Sequence, residues 1–179
     1  MTDGARRERF EVAYRELYPS ICGYTLRRVR EPEDAAEVIA ETFATLWRRF
    51  DDCPQGAEVR PWLFGVARRV IANQRRGERR RSALGDRLVE NLDQRAFETV
   101  SAPDETSELA RAFASLSESD RQLLSLAAWE GLTREELAIA LGTSRAVVRL
   151  RLHRASKRLR AALPPNQVRF TGGREHEWT

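Results

Sequence analysis

The stretch TREELAIALGTSRAVVRLRLHRASKRLRAAL, residues 133–163, contains two helices and the turn between them. Thr133 followed three residues later by Glu136 forms a capping box, in which each side chain satisfies an orphan backbone N–H at the start of a helix. Leu137, Ile139, Ala140 and Leu141 form the apolar side of that helix, and Gly142 supplies a left-handed stop. Ser144 is placed to cap a longer helix running from 145 to about 163. Along it Val148, Leu152, Ala155, Leu159 and Leu163 share one face and are expected to dock on the preceding helices. The other side presents Ala146, Leu150, His153, Arg154 and Lys157, flanked by Arg149 and Arg160. Seven basic residues and no acid lie between 145 and 160. Two short helices at this spacing, the second one basic, read as a helix-turn-helix whose second helix enters a major groove. For that helix taken alone, a solvated basic face is the competing reading.

Upstream the helical pattern continues. Leu109, Ala112, Phe113 and Leu116 outline one short helix, and Ser117 caps another carrying Leu123, Leu124, Leu126 and Ala127 and ending at Gly131. Nearer the N-terminus, Phe10, Tyr14, Leu17, Tyr18 and Ile21 stripe a helix expected over 7–29. Glu31, Pro32, Glu33 and Asp34 start a second helix reaching about 50, since proline tolerates a first turn and acids complement the positive helix end. Residues 51–56 form a loop on Pro and Gly grounds. A third helix begins near Pro61, with Leu63, Val66, Ala67, Val70 and Ile71 inward and Arg68, Arg69, Arg75, Arg76 and Arg79 on its open side. No segment has the alternation of a strand. The expected fold is all-α, with two small helical domains joined by a flexible acidic linker.

Charge follows the same division. Residues 60–81 hold eight arginines against one acid, residues 82–108 seven acids against two arginines, and 145–160 is basic again. Two basic blocks flanking an acidic one suggest two polyanion-binding surfaces. Thirty of the 31 basic residues are arginine, whose planar fork suits phosphate. Cys22 and Cys53 fit no metal or redox spacing and are expected to be reduced thiols. No Gly-rich phosphate loop, Ser/His/Asp set or His/Cys cluster appears, so no catalytic residue, metal, cofactor or small-molecule substrate is expected. No targeting segment or apolar run long enough for a membrane span appears, which predicts a cytoplasmic protein without membrane insertion. Trp62, beside Arg60 and Phe64, is either core packing or a platform for an unstacked base.

These segments, in this order, resemble the small extracytoplasmic-function (ECF) sigma factors of bacterial RNA polymerase over roughly residues 8–163. Residues 34–43 (DAAEVIAETF) with Leu46, Trp47 and Arg48 resemble region 2.2. Residues 60–68 (RPWLFGVAR) resemble regions 2.3 and 2.4, and residues 116–121, 130–138 and 152–155 resemble region 4. The resemblance implies residues 1–81 as region 2, 82–108 as linker, 109–163 as region 4 and 164–179 as a loose tail. It implies core RNA polymerase contacts at Glu37, Glu41, Phe43, Trp47 and Arg48, with Phe43 and Trp47 equally open to being mostly core. Promoter −10 contacts would come from Arg60, Trp62, Arg68, Arg69, Asn73, Arg75, Arg76 and Arg79, together with the loop from Pro54 to Arg60. Promoter −35 contacts would come from Ser144, Arg145, Arg149, Leu150, Arg151, His153, Arg154 and Lys157. Control by an anti-sigma factor, which can hold the protein at the membrane, is a further implication. The family usually has Asp and Gln where Glu37 and Ala40 stand, Asn at Arg69 and Ser at Leu150, so the polymerase contact, base capture and −35 preference are expected to differ in detail. The alternatives are a stand-alone helix-turn-helix regulator with an N-terminal dimerisation or sensor module, and a polymerase-binding adaptor that does not read promoters.

Overall fold

In a computed structural model, residues 3–85 and 108–164 are described. The expected acidic linker falls almost wholly outside them, as does the tail after Pro164. The described residues form seven α-helices and no strand: α1 (Asp3–Leu26), α2 (Pro32–Arg48), α3 (Val59–Gly85), α4 (Glu108–Ala114), α5 (Glu118–Ala128), α6 (Arg134–Leu141) and α7 (Arg145–Ala162). A 3-10 turn at Gly56–Glu58 leads into α3, and Gly56 takes the positive φ of 61° that a side chain would resist.

α1 starts four residues earlier than its apolar stripe suggests, because Arg6 is anchored on α2. Its guanidinium donates to the Trp47 carbonyl at 2.7 Å and lies 4.6 Å from the Trp47 ring. The helix closes at Leu26, beyond which the Arg28 N–H turns back to the Thr25 carbonyl in a 3-10 step. α3 begins two residues before Pro61, which therefore occupies the first turn, where its missing N–H costs nothing.

The C-terminal caps form as the local sequence dictates. The Ser117 hydroxyl accepts from the Asp120 N–H, and both bonds of the Thr133–Glu136 capping box are made, at 3.2 and 2.8 Å. Gly142 adopts φ 62°, so its N–H reaches the Ile139 carbonyl while that of Thr143 reaches Ala138, as a Schellman stop requires. The Ser144 hydroxyl accepts from Val147 N–H and opens α7.

The two halves are not separate bodies in this structure. Leu17, Ile21, Val38, Leu46, Leu63, Phe64 and Ile71 belong to one apolar core together with Leu123, Leu126, Leu137, Ala140, Val148 and Leu152. The seam is α3 against α6. It is tight because Gly65 has no side chain: a Cβ built there would stand 2.5 Å from the Ala140 carbonyl oxygen. Polar contacts flank the seam. Glu130, only 8 % exposed, receives Arg27 at 2.6 Å and lies 3.6 Å from Arg28, while Arg60 donates to the Glu130 carbonyl at 2.6 Å. Arg75 bridges to Glu118 and to the Arg28 carbonyl, both at 2.8 Å. The expectation that the α3 arginines line an open side is corrected here, because α5, α6 and α7 cover part of that side.

Candidate nucleic-acid interface

α7 divides as its periodicity predicts. Val148 and Ala155 are fully buried and Leu152 nearly so, whereas Ser144, Arg145, Arg149, Leu150, Arg151, His153, Arg154 and Lys157 are exposed. Leu159 and Leu163 are half-buried. Arg145 pairs with Glu135 at 2.8 Å, but both side chains are more than half exposed. Such a pair contributes about 0–1 kcal/mol, so Arg145 exchanges it readily for a phosphate. The first turns of α7 thus present guanidinium forks and the apolar Leu150 together, the mixture that grips guanine edges and thymine methyls. Arg154 and Lys157 lie farther along the helix, where contacts go to phosphate and set register.

The α3 set divides into two groups. Arg69, Asn73 and Arg76 are exposed, with the Arg76 guanidinium donating to the Asn73 side-chain oxygen. Arg60, Trp62, Arg68 and Arg75 are half-buried, and Arg60, Arg68 and Arg75 lie on the side that meets the C-terminal helices. Trp62 packs against the core here. Arg60 and Arg75 are held by the seam contacts above, and Arg68 Nε is buried without a partner. Arg79 lies on α3, but its side chain is outside the described residues.

On α2, Glu37, Glu41 and Arg48 are exposed, and Arg48 is tied to Glu41. Glu37 and Glu41 share an open groove of about 770 Å³ with Arg69 and Asn73 of α3. Residues expected to meet protein and residues expected to meet nucleic acid therefore line opposite walls of one groove. Of the two placements open to Phe43, the structure shows the core one. It is 4 % exposed, its ring 4.6 Å from Tyr14, so in this structure it supports the surface and does not form it. The exposed aromatics there are Tyr14 and Tyr18 of α1, 38 and 39 % accessible. Trp47 is half-buried, edge-on to Phe10 at 5.0 Å.

Sequence reasoning missed the charged group around Glu130. Arg28 is 5 % exposed, stacks 3.8 Å from the Tyr24 ring, and donates to the Tyr24 carbonyl, while its Nε and one terminal nitrogen have no partner. Burial pulls its pKa below the usual arginine value, partly offset by Tyr24 and Glu130. The available signal was an acid at the end of an apolar helix, immediately before Gly131.

Comparison with known proteins bears on the whole arrangement. Residues 13–81 match the family model for Sigma-70 region 2, and residues 106–159 that for Sigma-70, region 4. The ECF RNA polymerase sigma factor SigL of Mycobacterium tuberculosis is 31 % identical over 147 residues, covering 78 % of this chain and 80 % of the relative. The ECF RNA polymerase sigma factor RpoE of Cereibacter sphaeroides is 28 % identical over 162 residues, covering 87 % and 88 %. Among solved structures, the sigma factor RpoE bound to the anti-sigma factor NepR from Bartonella quintana superposes with a TM-score of 0.61 at 20 % identity, covering 87 % of this chain and 96 % of that one. CnrH in complex with the cytosolic domain of CnrY gives 0.57 at 20 % identity, covering 87 % of each. At that identity the two structures speak to the fold alone.

Proposed function

This chain belongs to the ECF sigma factors, and from that premise we propose how its surfaces divide the work of binding core RNA polymerase and directing promoter-specific initiation. The observation that carries the assignment is the exposed basic face of α7 on a capped helix-turn-helix, joined to a region-2 bundle whose α2–α3 groove is acidic on one wall and basic on the other.

In this reading residues 1–81 act as region 2, 82–108 connect, and 109–163 act as region 4. Glu37, Glu41 and Arg48, with Trp47 at the margin and Phe43 as its buried support, form the polymerase-facing side. Arg69, Asn73 and Arg76 meet the −10 strand first, Arg60, Arg68 and Arg75 join once the seam releases them, and Trp62 stands beside Arg60 at the start of α3. Arg145, Arg149, Leu150, Arg151, His153 and Arg154 read the −35 duplex from α7, with Ser144 and Lys157 on its backbone. The protein contributes binding and positioning, with polymerase supplying the chemistry. No helix among the described residues is long and apolar enough to cross a membrane. The cytoplasm is the proposed place of action, with an anti-sigma factor, the partner bound to RpoE in the Bartonella quintana structure, as the proposed control.

Promoter reading requires the seam to open. The −10 and −35 elements lie about 25 base pairs apart, about 85 Å along B-form DNA. In the docked form Gly65 of α3 touches Ala140 of α6, so α3 and α7 cannot occupy both elements at once. Transcription with purified core polymerase tests the function. Initiation from specific promoters that requires this chain supports it, and no initiation on any template of a genomic library refutes it.

A further inference from the structure

At the junction of the two halves lies a cavity lined by the C-terminal helices and, from the N-terminal half, by Arg68. Arg68 of α3 forms one wall, Arg151, Arg154 and Arg158 of α7 another, and the start of α5, with the Ser117 and Ser119 side chains, a third. Its volume is about 350 Å³, large enough for a small polyphosphate and too small for a duplex. Four guanidinium groups face one carboxylate, that of Asp120, which Arg158 neutralises at 2.7 Å. Arg68, Arg151 and Arg154 have no ion pair among the described residues, and Arg68 Nε is buried with no hydrogen-bond partner. A buried donor without a partner is costly, and the exposed guanidiniums of Arg151 and Arg154 leave the space around it strongly positive. An anion with several oxygens removes that cost, and arginine forks match phosphate oxygens in pairs.

We propose that this cavity is a composite binding site for a small polyphosphate anion, a pyrophosphate or the diphosphate or triphosphate group of a nucleotide, assembled only when region 2 and region 4 are docked. The ligand is held by Arg68 from one half and by Arg151 and Arg154 from the other, with the Ser117 and Ser119 hydroxyls as additional donors. A ligand that binds only the docked form stabilises it by mass action. If the division of surfaces proposed above holds, the same ligand weakens promoter engagement, because it captures one −10 arginine and two −35 arginines together.

The test is calorimetric titration of the full chain with sodium pyrophosphate, with GTP and with a 12-base-pair duplex as separate arms, followed by thermal unfolding with each. Expected is saturable 1:1 pyrophosphate binding that raises the melting temperature and falls at least tenfold in both Arg68→Gln and Arg151→Gln. Gly65→Val retains all four arginines but opposes docking, so it should lose pyrophosphate affinity to a similar degree while still binding duplex. Glu130→Gln, which alters the seam without adding bulk, is the second variant should Gly65→Val fold poorly. GTP binding as tight as pyrophosphate or tighter assigns the site to nucleotides, and pyrophosphate alone assigns it to the free anion. Unchanged pyrophosphate affinity in Arg68→Gln, or in the folded seam variants, overturns the composite site and leaves only phosphate attraction to α7. These outcomes are independent of transcription, so the site can fail while the sigma assignment stands.

Discussion

Adding a single methyl at Gly65 separates the stability of α3 from the stability of the docked form. In a helix interior, Gly→Ala favours the helix by about 0.8–1 kcal/mol. Here the new Cβ would lie 2.5 Å from the Ala140 carbonyl oxygen, where real Cβ contacts essentially never fall under 3.0 Å. Backbone stands on both sides of that clash, so no rotamer relieves it, and α3 and α6 must part by at least 0.5 Å. Overpacking of this kind costs about 1–3 kcal/mol, and the cost falls on the docked form alone. The ratio of docked to open protein then drops about 5- to 150-fold, at about 1.4 kcal/mol per factor of ten, and Gly65→Val drops it further. Gly77→Ala is the control, since it lies on the same helix with nothing within 4 Å of its Cβ and so gains propensity without the clash. Small-angle X-ray scattering reads the opening as a larger radius of gyration, and anisotropy with −35 duplex reads the release of α7. An unchanged radius and duplex affinity in Gly65→Val, with Gly77→Ala equally silent, would refute the seam as the contact that holds the halves together.

The other predictions follow from side chains already placed. Glu130→Gln leaves Arg27 and Arg28 without their carboxylate in a site where the Arg28 and Glu130 side chains are 4 and 5 % exposed, and breaking such a pair costs about 3–5 kcal/mol, read as a lower urea midpoint. Thr133→Ala removes the N-cap hydroxyl from the Glu136 N–H and is expected to cost about 0.5–2 kcal/mol by the same assay, with duplex contacts intact. Arg149→Ala, on the exposed face of α7, should lower −35 affinity by about 1–3 kcal/mol with the unfolding midpoint unchanged, and equal affinity across a −35 mutant panel would refute its register.

The helix-turn-helix was legible because its determinants are local. Thr133, Gly142 and Ser144 act within four residues of themselves, and the spacing of Val148, Leu152 and Ala155 sets the buried face of α7 wherever it docks. The angle of the α3 arginines was equally legible, but what stands opposite them was not. Helical angles place Arg68 and Arg75 on one flank of α3 and Arg69 and Arg76 on the other; which flank is covered depends on chain as distant as Glu118, 43 residues beyond Arg75. Gly65 reads in sequence as a weak point in a helix, and its meaning depends on Ala140, a contact that no periodicity announces. Phe43 sits on the predicted face of α2, yet α1 crosses there and Tyr14 covers its ring. Docking of the two halves thus lay beyond reach, because it joins residues whose local preferences are satisfied either way.

The Glu130 group also determines how the junction answers to temperature. Removing charges from water is costlier in the cold, because hydration of ions becomes more favourable as temperature falls. The apolar contacts of Leu123, Leu126 and Leu137 with the α3 side of the core weaken on cooling as well. Both parts of the junction therefore shift in the same direction, and chilling the protein is expected to favour release of region 4 from region 2.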